Sequence, residues 1–403
     1  MNNYLKKNIA NIFLIFLYLQ PIIDLLTSLS INTFHLSISF GMIIRFLFLV
    51  LMLYYAFIIN KSITKPKLIY LISILIYLII FAILTIVFKD TNTLTYELTN
   101  VFKFLYFPIL LTIIDYHKLK ITALDLVKIA LIYLVLIFIP SIFNLNYNSY
   151  TEGKIGSVGW FNSGNEISAI LAILTPFIIN YLFNNHVWYK KLLISILTLY
   201  CYFIIGSKII IIALIVSSIY ELIHYFKAHK LTNKPFISIS LSIIIIALIG
   251  LYLVPKTNFY YNLKLHLTYL NINSINDLFT FNSLNRFIFS DRLTFLANTY
   301  LIFVKANLFH KLFGLGFIMN YATDLVSLKV IEMDFFDIFF HLGIIGLIIV
   351  LIPLIKKIKT IKPNALVKFS LILGLVIAFL VGHTIGSPGV AIYLVYLFKG
   401  DIK

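Results

Sequence analysis

A single cysteine, Cys201, stands in a chain of 403 residues, so neither a disulfide framework nor a cysteine-rich metal site can be built. Charge is scarce as well. Asp, Glu, Lys and Arg make up 12% of the residues, where soluble domains carry about 25%. With 61% hydrophobic residues and a mean hydropathy of +1.00, the chain cannot cover its surface with polar groups. Acids are rarer than bases, 15 against 32, and arginine is confined to Arg45, Arg286 and Arg292. The nine histidines show no His-Glu-x-x-His or comparable spacing, so no protein-held metal is expected; no cofactor is expected either. Together these shortages exclude a soluble enzyme, a secreted disulfide scaffold and a nucleic-acid-binding domain.

What is abundant is long apolar runs, many reaching the roughly 18 residues that can cross a hydrocarbon core about 30 Å thick. The expected fold is an all-α polytopic membrane protein. Twelve candidate helices follow in order: 9–27, 37–59, 68–88, 98–114, 121–143, 166–183, 192–206, 209–225, 236–254, 333–355, 369–385 and 388–399. The first run has no small-residue cleavage site and contains Gln20, Pro21 and Asp24, so it reads as a retained helix. Residues 1–403 read as one integral membrane domain.

Orientation follows from lysine. With the N-terminus in the cytoplasm, the inner segments carry Lys6 and Lys7; Lys61, Lys65 and Lys67; Lys118 and Lys120; Lys190 and Lys191. They continue with Lys227, Lys230 and Lys234; then Lys356, Lys357, Lys359, Lys362 and Lys368; then Lys399 and Lys403. The short outer segments hold only Lys89, Lys103, Lys154 and Lys208. That is the positive-inside pattern, and it puts both termini in the cytoplasm. The segment 255–332 then becomes one large extracytoplasmic loop between the ninth and tenth helices. Within it, Leu293, Leu296, Tyr300, Phe303 and Val304 recur near helical spacing, which predicts an amphipathic helix on the membrane surface. A loop of that length in an economical chain is usually functional.

Ionisable groups near the outer boundary are therefore the candidates for chemistry. Glu332-Met-Asp334 opens the tenth helix, and Asp337 shares a helical face with Asp334. Carboxylates there can act as general bases, or can simply complement the helix dipole. Arg292, in Ser290-Asp291-Arg292, offers a planar fork for phosphate, or a cation that snorkels to headgroups. Lys208, after Gly206-Ser207, could meet an anion at the start of the eighth helix; a plain interfacial lysine is the other reading. The turn Gly156-Ser-Val-Gly-Trp-Phe-Asn-Ser-Gly-Asn165-Glu166 lacks a phosphate-loop ending, and its Ser163 or Asn165 can cap the sixth helix. His383 lies near the outer end of the eleventh helix, and Asp24 and Arg45 lie within the first two spans, where polar contact between helices is an equal reading.

In order and spacing these residues resemble the O-antigen ligase and O-antigen polymerase superfamily of membrane glycan transferases, from the sixth helix to the C-terminus. The matching elements are Gly159-Trp-Phe161-Asn162 with Asn165, then Ser207-Lys208 where that family has Ser-Arg, then Ser290-Asp291-Arg292 and Gly314-Leu315-Gly316. Last comes Gly343-Ile-Ile-Gly346, with Glu332 eleven residues before it where the family carries histidine. Glu-Met-Asp-Phe-Phe-Asp and Gln20-Pro21-Ile-Ile-Asp24 resemble the O-antigen ligase-like branch of Gram-positive bacteria.

The resemblance implies an enzyme of the plasma membrane that takes a glycan from undecaprenyl pyrophosphate at the outer face. It implies an inverting, metal-independent transfer to a glycan acceptor, as a polymerase of capsule, exopolysaccharide or O-antigen type. A ligase moving a finished glycan to a lipid or wall acceptor stays open. Glu332 or Asp334 would be the base. Arg292 and Lys208 would meet the pyrophosphate, with Asn165, Arg286 and His383 as further substrate contacts. Implied partners are the lipid-linked oligosaccharide, the acceptor glycan and membrane lipid, with a flippase and a chain-length regulator beside the enzyme; no nucleic acid is involved. The rival reading, a flippase or transporter, predicts two related halves and helices interrupted at mid-membrane.

Overall fold

The computed structural model describes residues 2–35, 39–115, 119, 121–148, 156–185, 187–228, 254–269, 276–321, 324–328 and 330–402. In chain order the helices are α1 (Asn2–Asn32), α2 (Phe40–Tyr54, continued by a wider turn Tyr55–Ile59), α3 (Lys65–Phe88), α4 (Leu94–Ile113) and α5 (Ala123–Ile142). They continue as α6 (Gly164–Asn184), α7 (Trp188–Ile205), α8 (Lys208–Ala228) and α9 (Asn258–Tyr269). Then come α10 (Arg292–Lys305), α11 (Leu308–Phe313), α12 (Asp334–Thr360), α13 (Ala365–Leu380) and α14 (Pro388–Leu397). One antiparallel hairpin, β1 (Ile318–Tyr321) with β2 (Asp324–Ser327), departs from the all-α expectation.

Eight of the twelve expected spans fall on helices long and apolar enough to cross a membrane among the described residues: α1, α2, α3, α5, α6, α7, α8 and α12. Candidate 98–114 falls on α4, whose first turns carry Glu97, Asn100 and Lys103 and so shorten its apolar stretch. The last two candidates fall on α13 and α14, apolar helices of 16 and 10 residues. At 1.5 Å per residue a 10-residue helix reaches only about 15 Å, half of a hydrocarbon core. Candidate 236–254 lies, but for its last residue, outside the described residues, as do Lys118, Lys120, Lys154, Lys230, Lys234 and Lys403. Where the amphipathic helix is expected, a helix, α10, begins at Arg292.

The chain forms two compact units. The first comprises Met1–Gln20, Phe40–Ile121 and Leu278–Lys403, and the second Pro21–Ser39 and Thr122–Asp277. In the first unit α12 packs on α4, α11 and α13, and α14 packs on α4. All ten residues of α14 are buried, whereas α3 turns Ile72, Leu75, Ile76, Ile79 and Ile83 outward. A continuous aliphatic face of that kind cannot face water, so it faces lipid. In the second unit α6 is the core helix, buried from Ile167 to Ile179 between α5 and α8. Its neighbour α5 starts at a reciprocal cap: Asp125 N–H donates to Thr122 Oγ1, and the Asp125 carboxylate accepts from Thr122 N–H at 2.8 Å.

Helix α12 is broken at Gly343, whose φ of +74° and ψ of −177° interrupt the helical ladder. In a membrane every freed carbonyl needs a partner, because lipid supplies none. Chain 312–316 supplies them: Leu315 N–H donates to Phe340 O at 2.9 Å and Gly316 N–H to His341 O at 3.0 Å. The Tyr77 hydroxyl closes the account with 2.8 Å to Leu342 O. A side chain at Gly343 would collide with the Leu312 and Gly314 backbone, so this seam tolerates only glycine.

Candidate active site

Seven non-glycine residues among those described have φ between +46° and +68°, and four of them converge on one place: Ser290, Asp291, Glu332 and His383. Left-handed backbone costs a non-glycine residue about 1–3 kcal/mol, and such strain gathers where chemistry needs a side chain held against its preference. The strain at Ser290 and Asp291 sets up the start of α10. Asn285 braces that turn, accepting from Leu293 N–H at 3.2 Å and donating to Thr294 Oγ1 at 2.9 Å. The first helical residue is Arg292.

Arg292 reaches across to Glu332. Its Nε donates to the Glu332 carbonyl at 3.0 Å and its Nη2 to Glu332 Oε2 at 2.9 Å, while Nη1 donates to Phe289 O at 3.3 Å. His383 Nε2 lies 3.6 Å from the same Oε2. The turn bearing His383 comes this close because Gly382 has no side chain; a Cβ there would meet the Glu332 carbonyl at 2.6 Å. Arg292 is 8% exposed and Glu332 37%, so the cation is set into the protein and the carboxylate is open to a ligand. Burial pushes the Glu332 carboxyl up, but the hydrogen bond and charge of His383 and those of Arg292 outweigh it and hold the group down at about 2.

Behind this triad two buried aspartates hold backbone. Asp334 Oδ2 accepts from Thr384 N–H at 2.8 Å and Ile385 N–H at 2.6 Å, which fixes the turn after His383. Asp337 accepts from Ile331 N–H at 2.7 Å and Met333 N–H at 2.9 Å, the two amides that flank Glu332. Both acids are at most 2% exposed.

Three further charged or titratable groups went unnoticed as site candidates in the sequence. Glu97 is fully buried and accepts from Phe317 N–H and Ile318 N–H, each at 2.8 Å. Lys89 pairs with Glu97 and donates to Leu315 O at 2.8 Å; burial lowers its ammonium from the usual 10.5, against the raising effect of Glu97. His341 Nδ1 donates to Gly316 O at 2.7 Å, and its ring stacks on Phe317 at 4.7 Å between centroids. An acid in the first turn of an otherwise apolar helix is the signal that could have marked Glu97.

Of the residues expected to bind substrate, Arg292 and His383 join Glu332. Arg286 instead pairs with Asp291 inside the same turn. Lys208 and Asn165 belong to the second unit: Lys208 opens α8 after the left-handed Gly206, and Asn165 is the second residue of α6, which Ser163 caps by accepting from Glu166 N–H at 3.3 Å. Among the described residues no group of three or more His, Cys, Asp or Glu could hold a metal ion.

Beside Arg292, the next turns of α10 and the face of α12 enclose an open groove of about 740 Å³. Its walls are almost wholly apolar, with Leu293, Leu296 and Tyr300 on one side and Phe335, Phe336 and Phe339 on the other. The family model for O-antigen ligase like membrane proteins matches residues 6–277 and 280–402. The chain belongs to that family. No curated protein and no solved structure matches it. As a member of the O-antigen ligase-like family with eight apolar helices of spanning length among the described residues, it is a multi-pass protein of the plasma membrane that processes glycans.

Proposed function

We propose that this protein is a polysaccharide polymerase of the extracytoplasmic face, which moves glycan repeat units from undecaprenyl pyrophosphate onto the end of an acceptor glycan. The observation that carries the reading is one juxtaposition: the Arg292–Glu332–His383 cluster, held in strained turns, beside a Phe-walled groove. A polyprenyl-pyrophosphate donor has an anionic head and a long apolar tail, and this pairing of cation and greasy slot fits both. Phosphate prefers the arginine fork to a lysine ammonium, because two parallel N–H bonds can form.

In the reaction the acceptor hydroxyl oxygen attacks the anomeric carbon, and the bond from that carbon to the pyrophosphate oxygen breaks with inversion. The leaving oxygen keeps the electron pair, and Arg292 stabilises its charge. The hydroxyl proton passes to Glu332. A carboxylate held at about 2, by His383 first and then by Arg292, is a weak base. Arrival of a pyrophosphate draws Arg292 away and brings negative charge beside the carboxyl, both of which raise it and make it more basic when the donor is in place. Asp334, committed to two backbone amides, then orients His383. The lysine pattern supports an outer-facing site, where such donors present their glycans. A ligase would use the same donor chemistry and differ in the acceptor.

The test is turnover of a synthetic lipid-linked repeat unit by purified protein. Wild-type protein should release polyprenyl pyrophosphate and build polymer. Glu332→Gln should slow polymer formation by about 10²–10⁴-fold, the usual contribution of a general base, while the donor still binds. Full turnover by the Glu332→Gln protein would falsify the role assigned to that carboxylate.

A further inference from the structure

Glu332 is displayed on a turn that its own sequence disfavours, with φ at +65°. Something must hold that turn, and the bonds around it identify what does. Arg292 takes the Glu332 carbonyl from one side at 3.0 Å. From the other side Asp337 takes both flanking amides, Ile331 N–H on Oδ1 at 2.7 Å and Met333 N–H on Oδ2 at 2.9 Å. One carboxylate therefore spans the residue like a staple. Because Asp337 is 1% exposed, water cannot replace either bond, and loss of an acceptor leaves a buried amide unpaired.

His341 stands one helical turn on, with Nε2 at 3.5 Å from Asp337 Oδ1 and no hydrogen bond between them. The opposite nitrogen of that ring donates to Gly316 O, which fixes the ring's orientation because a carbonyl can only accept. Gly316 in turn lies against the Glu97–Lys89 pair: a side chain there would strike both Lys89 Nζ and the Glu97 carboxylate. A chain of contacts thus runs from the break in α12 to the turn that carries Glu332.

We infer that Asp337 is the positioning residue for Glu332: by binding the amides of Ile331 and Met333 it fixes the direction in which the Glu332 carboxylate meets the acceptor hydroxyl. This rests on the proposed role of Glu332 as the reacting base. Asp337 touches neither the base's carboxylate nor the substrate, so its removal should alter placement and leave donor recognition by Arg292 and the groove intact. A displacement of about 1 Å in a reacting group can cost roughly 10²-fold in rate.

The experiment measures kcat and KM for a synthetic lipid-linked repeat with Asp337→Asn, Glu332→Gln and the double variant, all as full-length protein in detergent. Asparagine keeps one acceptor and turns an N–H toward the other amide, so one flank of Glu332 is released. Asp337→Asn should lower kcat about 10²-fold and leave KM for the donor within about twofold. Combined with Glu332→Gln it should add almost no further loss, since a positioning residue acts only through the group it positions. If Glu332→Gln is inactive and Asp337→Asn turns over at the wild-type rate, the staple is wrong and the base stands. If both are fully active, the base itself is wrong. Equal multiplicative losses in the double variant would also overturn the inference. Should Asp337→Asn fail to reach the membrane, Asp337→Glu keeps both acceptors on a stem one methylene longer. It should fold and still lose about 10-fold or more in kcat; wild-type kcat there would count against the proposal, as would failure of both variants to insert.

Discussion

Two turns in this molecule were each read from the sequence as candidate sites, and they are built on opposite plans. In the second unit the turn 156–166 internalises its polar groups with neutral bonds. Ser157 Oγ meets Ser141 Oγ at 2.9 Å, Ser157 N–H donates to Ile204 O at 2.9 Å, and Tyr147 N–H donates to Gly159 O at 2.7 Å. Its left-handed residue is a glycine, Gly159, packed so tightly that a side chain would strike the Leu136 carbonyl. In the first unit the turns at 290–292, 332 and 382–383 put left-handed backbone on Ser, Asp, Glu and His, then set an ionised carboxylate within reach of solvent. Where glycine takes the strain, the turn is architecture. Where a charged residue takes it, and buried aspartates hold it there, stability is being spent on display.

The largest test of that contrast is Arg292. Arg292→Ala removes the cation and leaves Glu332 without its nearest partner, and we expect activity to fall by more than about 10³-fold in the turnover assay. Arg292→Lys should recover a fraction, because an ammonium supplies charge without the fork. Normal polymer from a well-inserted Arg292→Ala protein would remove the first unit's claim to be the catalytic one.

A paired glycine experiment comes next. Gly382→Ala pushes against the Glu332 backbone at 2.6 Å and should depress kcat about 10–100-fold through displacement of the base. Gly159→Ala meets backbone just as closely yet should act on folding, lowering thermal stability and membrane yield while the surviving protein keeps its specific activity. Detergent unfolding curves and turnover per folded molecule separate the two. If Gly159→Ala lost activity at full stability, the two turns would no longer be different in kind.

Sequence reading reached the members of the cluster and not its wiring. Glu332, Asp334, Arg292 and His383 are legible because a charged residue at the edge of an apolar run is conspicuous. Their roles are not legible, since Asp334 and Asp337 look alike beside Glu332 and differ only in which amides they meet. Glu97 and Lys89 were missed for a related reason: besides each other, their partners are backbone atoms at 315–318, more than two hundred residues away, which carry no side-chain signature. The spans were readable as apolar runs. The break at Gly343 was not, because a Gly-x-x-Gly spacing in a helix says nothing of φ. That break is a feature expected of the transporter reading, but its carbonyls are filled by chain 312–316 and Tyr77, which makes it a seam.

The smallest expected effect sharpens the comparison from the side of stability. In the folded protein the Glu332 carboxyl sits at about 2, below its ordinary 4.5, because His383 and Arg292 together overcome the cost of burial. A group whose value is depressed on folding stabilises the fold above its unfolded value and loses that contribution as pH falls through the folded one. The window is therefore from about 4.5 down to about 2. At neutral pH wild-type protein should unfold at a higher temperature than Glu332→Gln, by about 1–3 °C, because a pair with one partner 37% exposed is screened by water. Lowering the pH through the window should close that gap. Ser157→Ala in the other turn offers the control: its bonds are between neutral groups, so its deficit should stay constant over the same range. A gap for Glu332→Gln that is flat or widens toward pH 2 would mean that the carboxylate is not held by its cations, and the contrast between a charged and a neutral turn would fail at its root.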